Sequence, residues 1–157
     1  MKIERAREVE PRLRAALAKA GRREIGGMLM GEQVAPDHFR IVDFSVDAFS
    51  GSHTHFCRDP EVHRNTLDEF FDRTGLDYQR FNYLGEWHSH PSFSIHPSVE
   101  DIETMTDIVD NGASAIAFAA LLIVRLRWRL WIDYSLTLFA RGHTPHRLEF
   151  SRRVIWL

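Results

Sequence analysis

The sequence predicts a mixed α/β or α+β fold in which helices and strands pack as one layer system around a single sheet. Three observations carry this. Apolar residues recur at helical spacing in three stretches, with short runs of strand character between them. No repeat or linker-like tract divides the chain. Its 157 residues amount to one domain of ordinary size, spanning 1–157.

The elements follow in order. Pro11 suits the first turn of a helix whose Leu13, Ala16, Leu17 and Ala20 share one face and which Gly21 ends. EIGGMLMG and HFRIVDFSV are two apolar-rich strands joined by a turn at Pro36-Asp37. A loop containing glycine and serine lies at 50–52. From 60 to 74 the period turns helical, with Val62, Thr66 and Phe70 on one stripe, Leu67 and Phe71 beside it, and Gly75 at the end. RFNYLGEWHSH is a strand that Pro91 ends, and HPSFSIHPS is a loop. Ser98 is a good N-cap for a helix through Ile102, Met105 and Val109 to Asn111-Gly112. The stretch from 115 to 139 is apolar and β-rich, a buried strand with at least one partner. A last strand is expected near 147–157.

Composition narrows the function. At 44% hydrophobic and 27% charged the chain is that of an ordinary globular protein. A balance of 20 basic against 22 acidic residues gives −2 and removes any global argument for nucleic acid or an anionic membrane as partner. The single cysteine, Cys57, excludes a disulfide-built scaffold. No signal-peptide pattern opens the chain, and the longest apolar run, ten residues at 115–124, is half of what a membrane span needs. A cytoplasmic protein is the expectation. The eleven phenylalanines fall mostly at core-like positions, whereas the nine histidines call for a test of spacing.

That spacing is informative in GEWHSHPSFSIHPSVED. Side chains two apart on a strand share a face, so His88 and His90 can converge on one ion. Asp101, in the first turn of the next helix, can supply a third ligand once the loop folds back. Two imidazoles and a carboxylate leave one zinc position open to water, as catalytic sites do. A plainer reading coexists at this level: a His-x-His can be a packing feature, and Ser98-Val99-Glu100-Asp101 is also an N-cap with acidic residues suited to the helix dipole.

His-x-His, seven residues, Ser, two residues, Asp resembles the signature of the JAMM (MPN-plus) metalloproteases, and His88, His90, Ser98 and Asp101 match it without a gap. Chance produces such a match in a chain of this length on the order of once in a thousand. Pro91 after the second histidine, Gly85-x-Trp87 before the first, and Glu24-Ile25-Gly26-Gly27-x-Leu29-x-Gly31 upstream extend the resemblance from Glu24 to about Val124. It implies a curved, mainly antiparallel sheet flanked by helices, related to the cytidine deaminase architecture. It also implies one Zn²⁺ per chain, held by His88, His90 and Asp101. Glu24 would move the proton of the attacking water to the leaving amine, and Ser98 would donate to the oxyanion. Strand geometry alone nominates a different base, Glu86, two residues before His88. The family pattern places the base upstream, at Glu24.

The chain resembles the stand-alone prokaryotic branch of the family, Prok-JAB. The implied activity is cleavage after the C-terminal tail of a ubiquitin-like protein or its conjugate, in the company of activating- and conjugating-enzyme-like proteins. Two other activities fit the resemblance: a peptidase acting on a sulfur-carrier protein, and a non-catalytic scaffold. His53, His55 and Cys57 suggest a second metal site less well than a loop lining a groove, since no fourth ligand is near. His96 reads as a solvated loop residue. Arg125, Arg127 and Arg129, alternating with Leu126, Trp128 and Leu130, read as the solvated face of a half-buried strand.

Overall fold

The computed structural model describes residues 1–47, 60–111 and 116–149, with the side chains of 60–62 excepted. His53, His55, Cys57, the 50–52 loop and the end of the expected last strand lie outside the described residues. The elements are β1 (Lys2–Arg5), α1 (Val9–Ala20), β2 (Gly26–Ala35), β3 (His38–Phe44), α2 (Pro60–Arg73), β4 (Phe81–Ser89), α3 (Val99–Asn111), β5 (Phe118–Arg127), β6 (Trp131–Ala140) and β7 (His146–Leu148). The strands form one seven-stranded sheet in the order β1-β3-β2-β4-β5-β6-β7. Two neighbouring pairs, β1–β3 and β4–β5, are parallel, and the other four are antiparallel. The expected mixed α+β sheet is the one observed.

Each face of the sheet has its own core. Leu13 and Leu17 of α1 pack with Leu84, Trp87, Leu122, Val124, Ile132 and Leu136. Met105 and Val109 of α3 pack with Leu121, Ile123 and Phe139 on the other side. Successive β5 residues thus enter opposite cores, which is why its sequence is a continuous apolar run instead of an alternating one. Gly21, with φ 65°, ends α1, and its N–H donates to the Leu17 carbonyl at 3.0 Å. The β2–β3 turn carries Asp37 at φ 55°, a conformation aspartate tolerates better than most residues. Helix α2 lies against β2 and β4. Among its described side chains the buried ones are His63 and Phe70, and the His63 Nδ1 meets the Ser45 hydroxyl at 2.7 Å.

The topology also decides where ligand-bearing residues can meet. β4 and β5 are parallel, so the chain returns between them through α3. The C-terminal end of β4, the loop after it and the first turn of α3 therefore gather at one end of the sheet, where open sheets with parallel strands hold their sites.

Three sequence expectations change, and one strand was not expected. β1 has only Ile3 buried and gives no strand pattern of its own; it exists by parallel pairing with β3. The alternation from 125 to 130 does not continue as strand, because Trp128 and Arg129 adopt φ 47° and 60° and turn the chain into β6. Trp128 and Leu130 are consequently exposed at the hairpin tip instead of lying on a buried face. Ile102 faces outward from α3, beside the ligand-bearing turn. Among the phenylalanines, Phe44, Phe70 and Phe139 are core residues, but Phe93 is exposed.

Candidate metal centre

His88, near the end of β4, and His90, the residue just after it, share one face, as period-two geometry requires, and both are buried, at 8% and 5% exposure. Trp87, immediately before His88, points to the opposite face, into the core beneath α1. Its indole N–H donates to the Ser45 carbonyl at 2.8 Å, and its ring meets Phe44 edge-on at 5.5 Å. That anchor fixes the rotation of β4 and so the direction of both imidazoles. Gly26 on β2 sits opposite His88, and a Cβ there would stand 2.4 Å from the Trp87 carbonyl oxygen and 2.9 Å from the His88 Cβ. Only glycine lets the strands approach this closely.

The third group arrives on α3. Ser98 and Asp101 form a reciprocal cap in which the Asp101 N–H donates to the Ser98 hydroxyl at 3.1 Å. The Ser98 N–H and O–H both donate to Asp101 Oδ2 at 2.7 Å. The other carboxylate oxygen is left for the strand: Oδ1 lies 3.4 Å from His88 Nε2. His88 Nε2 and His90 Nε2 are 2.9 Å apart. The three ligand atoms of His88, His90 and Asp101 all fall within 4.8 Å of one another.

This donor set fits zinc. Two ligand atoms at about 2.1 Å from a tetrahedral zinc lie roughly 3.4 Å apart, the separation of His88 from Asp101 and within half an ångström of that between the two imidazoles. The His90 Nδ1–H donates to the Ser94 carbonyl, which leaves Nε2 as the metal-facing nitrogen. Burial pushes the His88 pKa down to about 4, with His90 adding to the shift and Asp101 opposing it. Its imidazole is therefore neutral at pH 7, the form a metal takes.

Of the sequence-nominated residues, the fold brings His88, His90 and Asp101 together, with Ser98 hydrogen-bonded to Asp101. Glu24 is outside the three-ligand group. It precedes the start of β2 and is 4% exposed. Glu86 is also buried and outside the group, and the Tyr83 hydroxyl donates to it at 2.9 Å. His96 is exposed in the loop, its N–H donating to the Ser94 hydroxyl at 3.2 Å. Sequence reasoning passed over Phe93, whose ring lies 4.5 Å from that of His90, and it read Arg125 only as part of a solvated face, whereas Arg125 donates to the Phe93 carbonyl at 3.1 Å. Neither contact has a sequence signal: the ring pair depends on how the loop after His90 folds back, and a backbone carbonyl can be met by any donor.

A mixed sheet whose β4–α3–β5 crossover gathers two imidazoles and a carboxylate is the architecture of the JAB/MPN class. Residues 6–133 match the family described as Prok-JAB, prokaryotic homologs of the JAB domain, and the chain belongs to that family. A curated relative, named CD-NTase/cGAS isopeptidase, from Enterobacter hormaechei subsp. hoffmannii (strain UCI 50), is 30% identical over 135 residues, covering 83% of this chain and 71% of the relative. The solution structure of protein DSY2949 from Desulfitobacterium hafniense shares the fold with a TM-score of 0.67 at 21% identity, over 95% of this chain and 91% of that one. A protein from Salinibacter ruber (strain DSM 13855) does so with a TM-score of 0.59 at 18% identity, over 97% and 92%.

Proposed function

We propose that this protein is a zinc-dependent isopeptidase that cuts the bond after the C-terminal tail of a ubiquitin-like protein, or of a protein conjugated in that manner, in a bacterial ubiquitin-like system. The observation that carries the reading is the convergence of His88, His90 and Asp101 within 4.8 Å. The family and the isopeptidase named among its relatives support it. That relative is named for CD-NTase/cGAS, so a CD-NTase conjugate is the first candidate substrate.

The three ligands would hold Zn²⁺, which when bound supplies Lewis acidity and a water acidified to a pKa of about 7. The remaining chemistry falls to the chain's own groups. Glu24, a buried carboxylate outside the ligand set, accepts a proton from the attacking water and returns it to the leaving amine. Ser98 exchanges its bond to Asp101 for one to the developing oxyanion. Asp101 keeps the Ser98 N–H as a partner when this happens, so the carboxylate stays oriented. Glu86, bound by Tyr83, borders the site without serving as base.

The test is a cleavage assay on a lysine peptide joined through its ε-amine to the C-terminal glycine of a ubiquitin-like domain. Zinc content is measured in parallel by plasma mass spectrometry. About one zinc per chain, loss of cleavage with chelator, recovery with zinc, and an inactive zinc-loaded Glu24→Gln protein are expected. A protein that binds no zinc, or that cleaves equally in chelator, overturns the proposal.

A further inference from the structure

Ser89 stands between the two histidines and contributes nothing to the ligand group. Its side chain is 2% exposed, and its contacts run to the segment that carries Glu24. The Ser89 N–H donates to the Ile25 carbonyl at 2.8 Å. The Ile25 N–H returns a bond of 3.0 Å, and that bond ends on the Ser89 hydroxyl. A regular hydrogen-bonded antiparallel pair exchanges both bonds through the backbone. Here the hydroxyl stands in for the carbonyl at the last pair, one residue beyond the Gly26–His88 pair that closes the β2–β4 register.

The consequence falls on Glu24. Ile25 is buried in the core beneath α1, with Trp87 and Leu17. Side chains alternate along extended chain, so Ile25 in that core directs Glu24 to the opposite face, the face of His88 and His90. Both backbone polar groups of Ile25 are held by Ser89, and the next residue toward the N-terminus carries the buried carboxylate. On its other side Ser89 is aligned with Val124 of β5, and the following residue's N–H, that of His90, donates to the Val124 carbonyl at 2.9 Å. One residue thus fastens the Glu24 segment to the strand that bears both imidazoles.

We infer that Ser89 is a positioning residue for Glu24, its hydroxyl fixing where the carboxylate stands relative to the two imidazoles. This rests on the reading of Glu24 as the proton-transferring group. A carboxylate displaced by an ångström loses up to about a hundredfold in rate while ligand geometry is untouched.

The test compares zinc-loaded Ser89→Ala, Ser89→Thr and Glu24→Gln in the lysine-peptide assay. Zinc affinity is read by competition with a chromophoric chelator, and the Ile25 amide by hydrogen exchange. For Ser89→Ala, kcat is expected to fall about ten- to a hundredfold with KM and zinc affinity within about threefold of the parent. The Ile25 amide is expected to exchange faster. Ser89→Thr, which keeps the hydroxyl, should restore kcat to within about threefold. Unchanged kcat in Ser89→Ala, a loss of zinc affinity that matches the loss of rate, or unchanged Ile25 exchange overturns the inference and leaves the metallopeptidase reading standing. An active Glu24→Gln protein overturns both. Should Ser89→Ala not fold, Ser89→Cys replaces it: the thiol accepts poorly, so kcat should stay low where Ser89→Thr is high, and equal values overturn the inference.

Discussion

Asp101 divides its carboxylate between two tasks: Oδ2 accepts both donors of Ser98, and Oδ1 stands 3.4 Å from Nε2 of His88. The helix cap thereby orients the carboxylate oxygen that faces His88, and a local interaction of α3 becomes part of a tertiary site.

Ser98→Ala separates the two roles of that hydroxyl. Loss of the cap should cost about 1 kcal/mol in denaturant unfolding. Cleavage should fall much further, by about a hundred- to a thousandfold, as when an oxyanion donor is removed. A rate loss no larger than the stability loss accounts for would leave Ser98 as a cap alone.

Ligand substitutions should act on zinc content. His88→Ala, His90→Ala and Asp101→Ala are each expected to reduce bound zinc well below one per chain after dialysis. Zinc is expected to raise the Tm of the parent protein, since a ligand that binds only the folded state stabilises by mass action, and each substitution should abolish that rise. Elemental analysis and calorimetry with and without chelator check this.

Gly26→Ala tests the close approach of β2 and β4. Its Cβ would meet the Trp87 carbonyl oxygen at 2.4 Å, backbone against side chain with no rotamer to relieve it. An overpacking cost of about 1–3 kcal/mol is expected. Zinc affinity should drop as well, because His88 lies directly across. Urea unfolding and chelator competition measure the two effects.

The metal-free protein should be acid-sensitive through His88. Burial, aided by His90 and opposed by Asp101, brings its folded-state pKa down to about 4 from an ordinary value of 6.5. The unfolded chain therefore takes up the proton first as pH falls. Stability is full above 6.5, declines through the interval down to about 4, and the loss is complete below it. The contribution is on the order of 3 kcal/mol. Unfolding of chelator-treated protein at pH 7, 5.5 and 4.5 shows the slope, and His88→Gln should flatten it.

Several features were legible without coordinates. The apolar stripe of α1 at Leu13 and Leu17, the Ser98 cap of α3 and the Pro36-Asp37 turn are local, each set by neighbours within a few residues. The spacing of His88, His90, Ser98 and Asp101 was equally visible, because a strand, a loop and a helix cap suffice to describe it. The register of β2 against β4 was not legible. It depends on Gly26 fitting beneath Trp87, on Trp87 reaching Ser45 forty-two residues away, and on Ser89 receiving the Ile25 N–H. Likewise β1 and the hairpin tip at Trp128 were decided by pairing partners and backbone turn angles that no periodicity encodes. The sequence by itself determined which side chains are available and the local elements that bear them. Tertiary structure decided which of them share a face and a few ångströms of space, because those distances come from long-range strand pairing and packing, in which each contact is made by residues far apart along the chain.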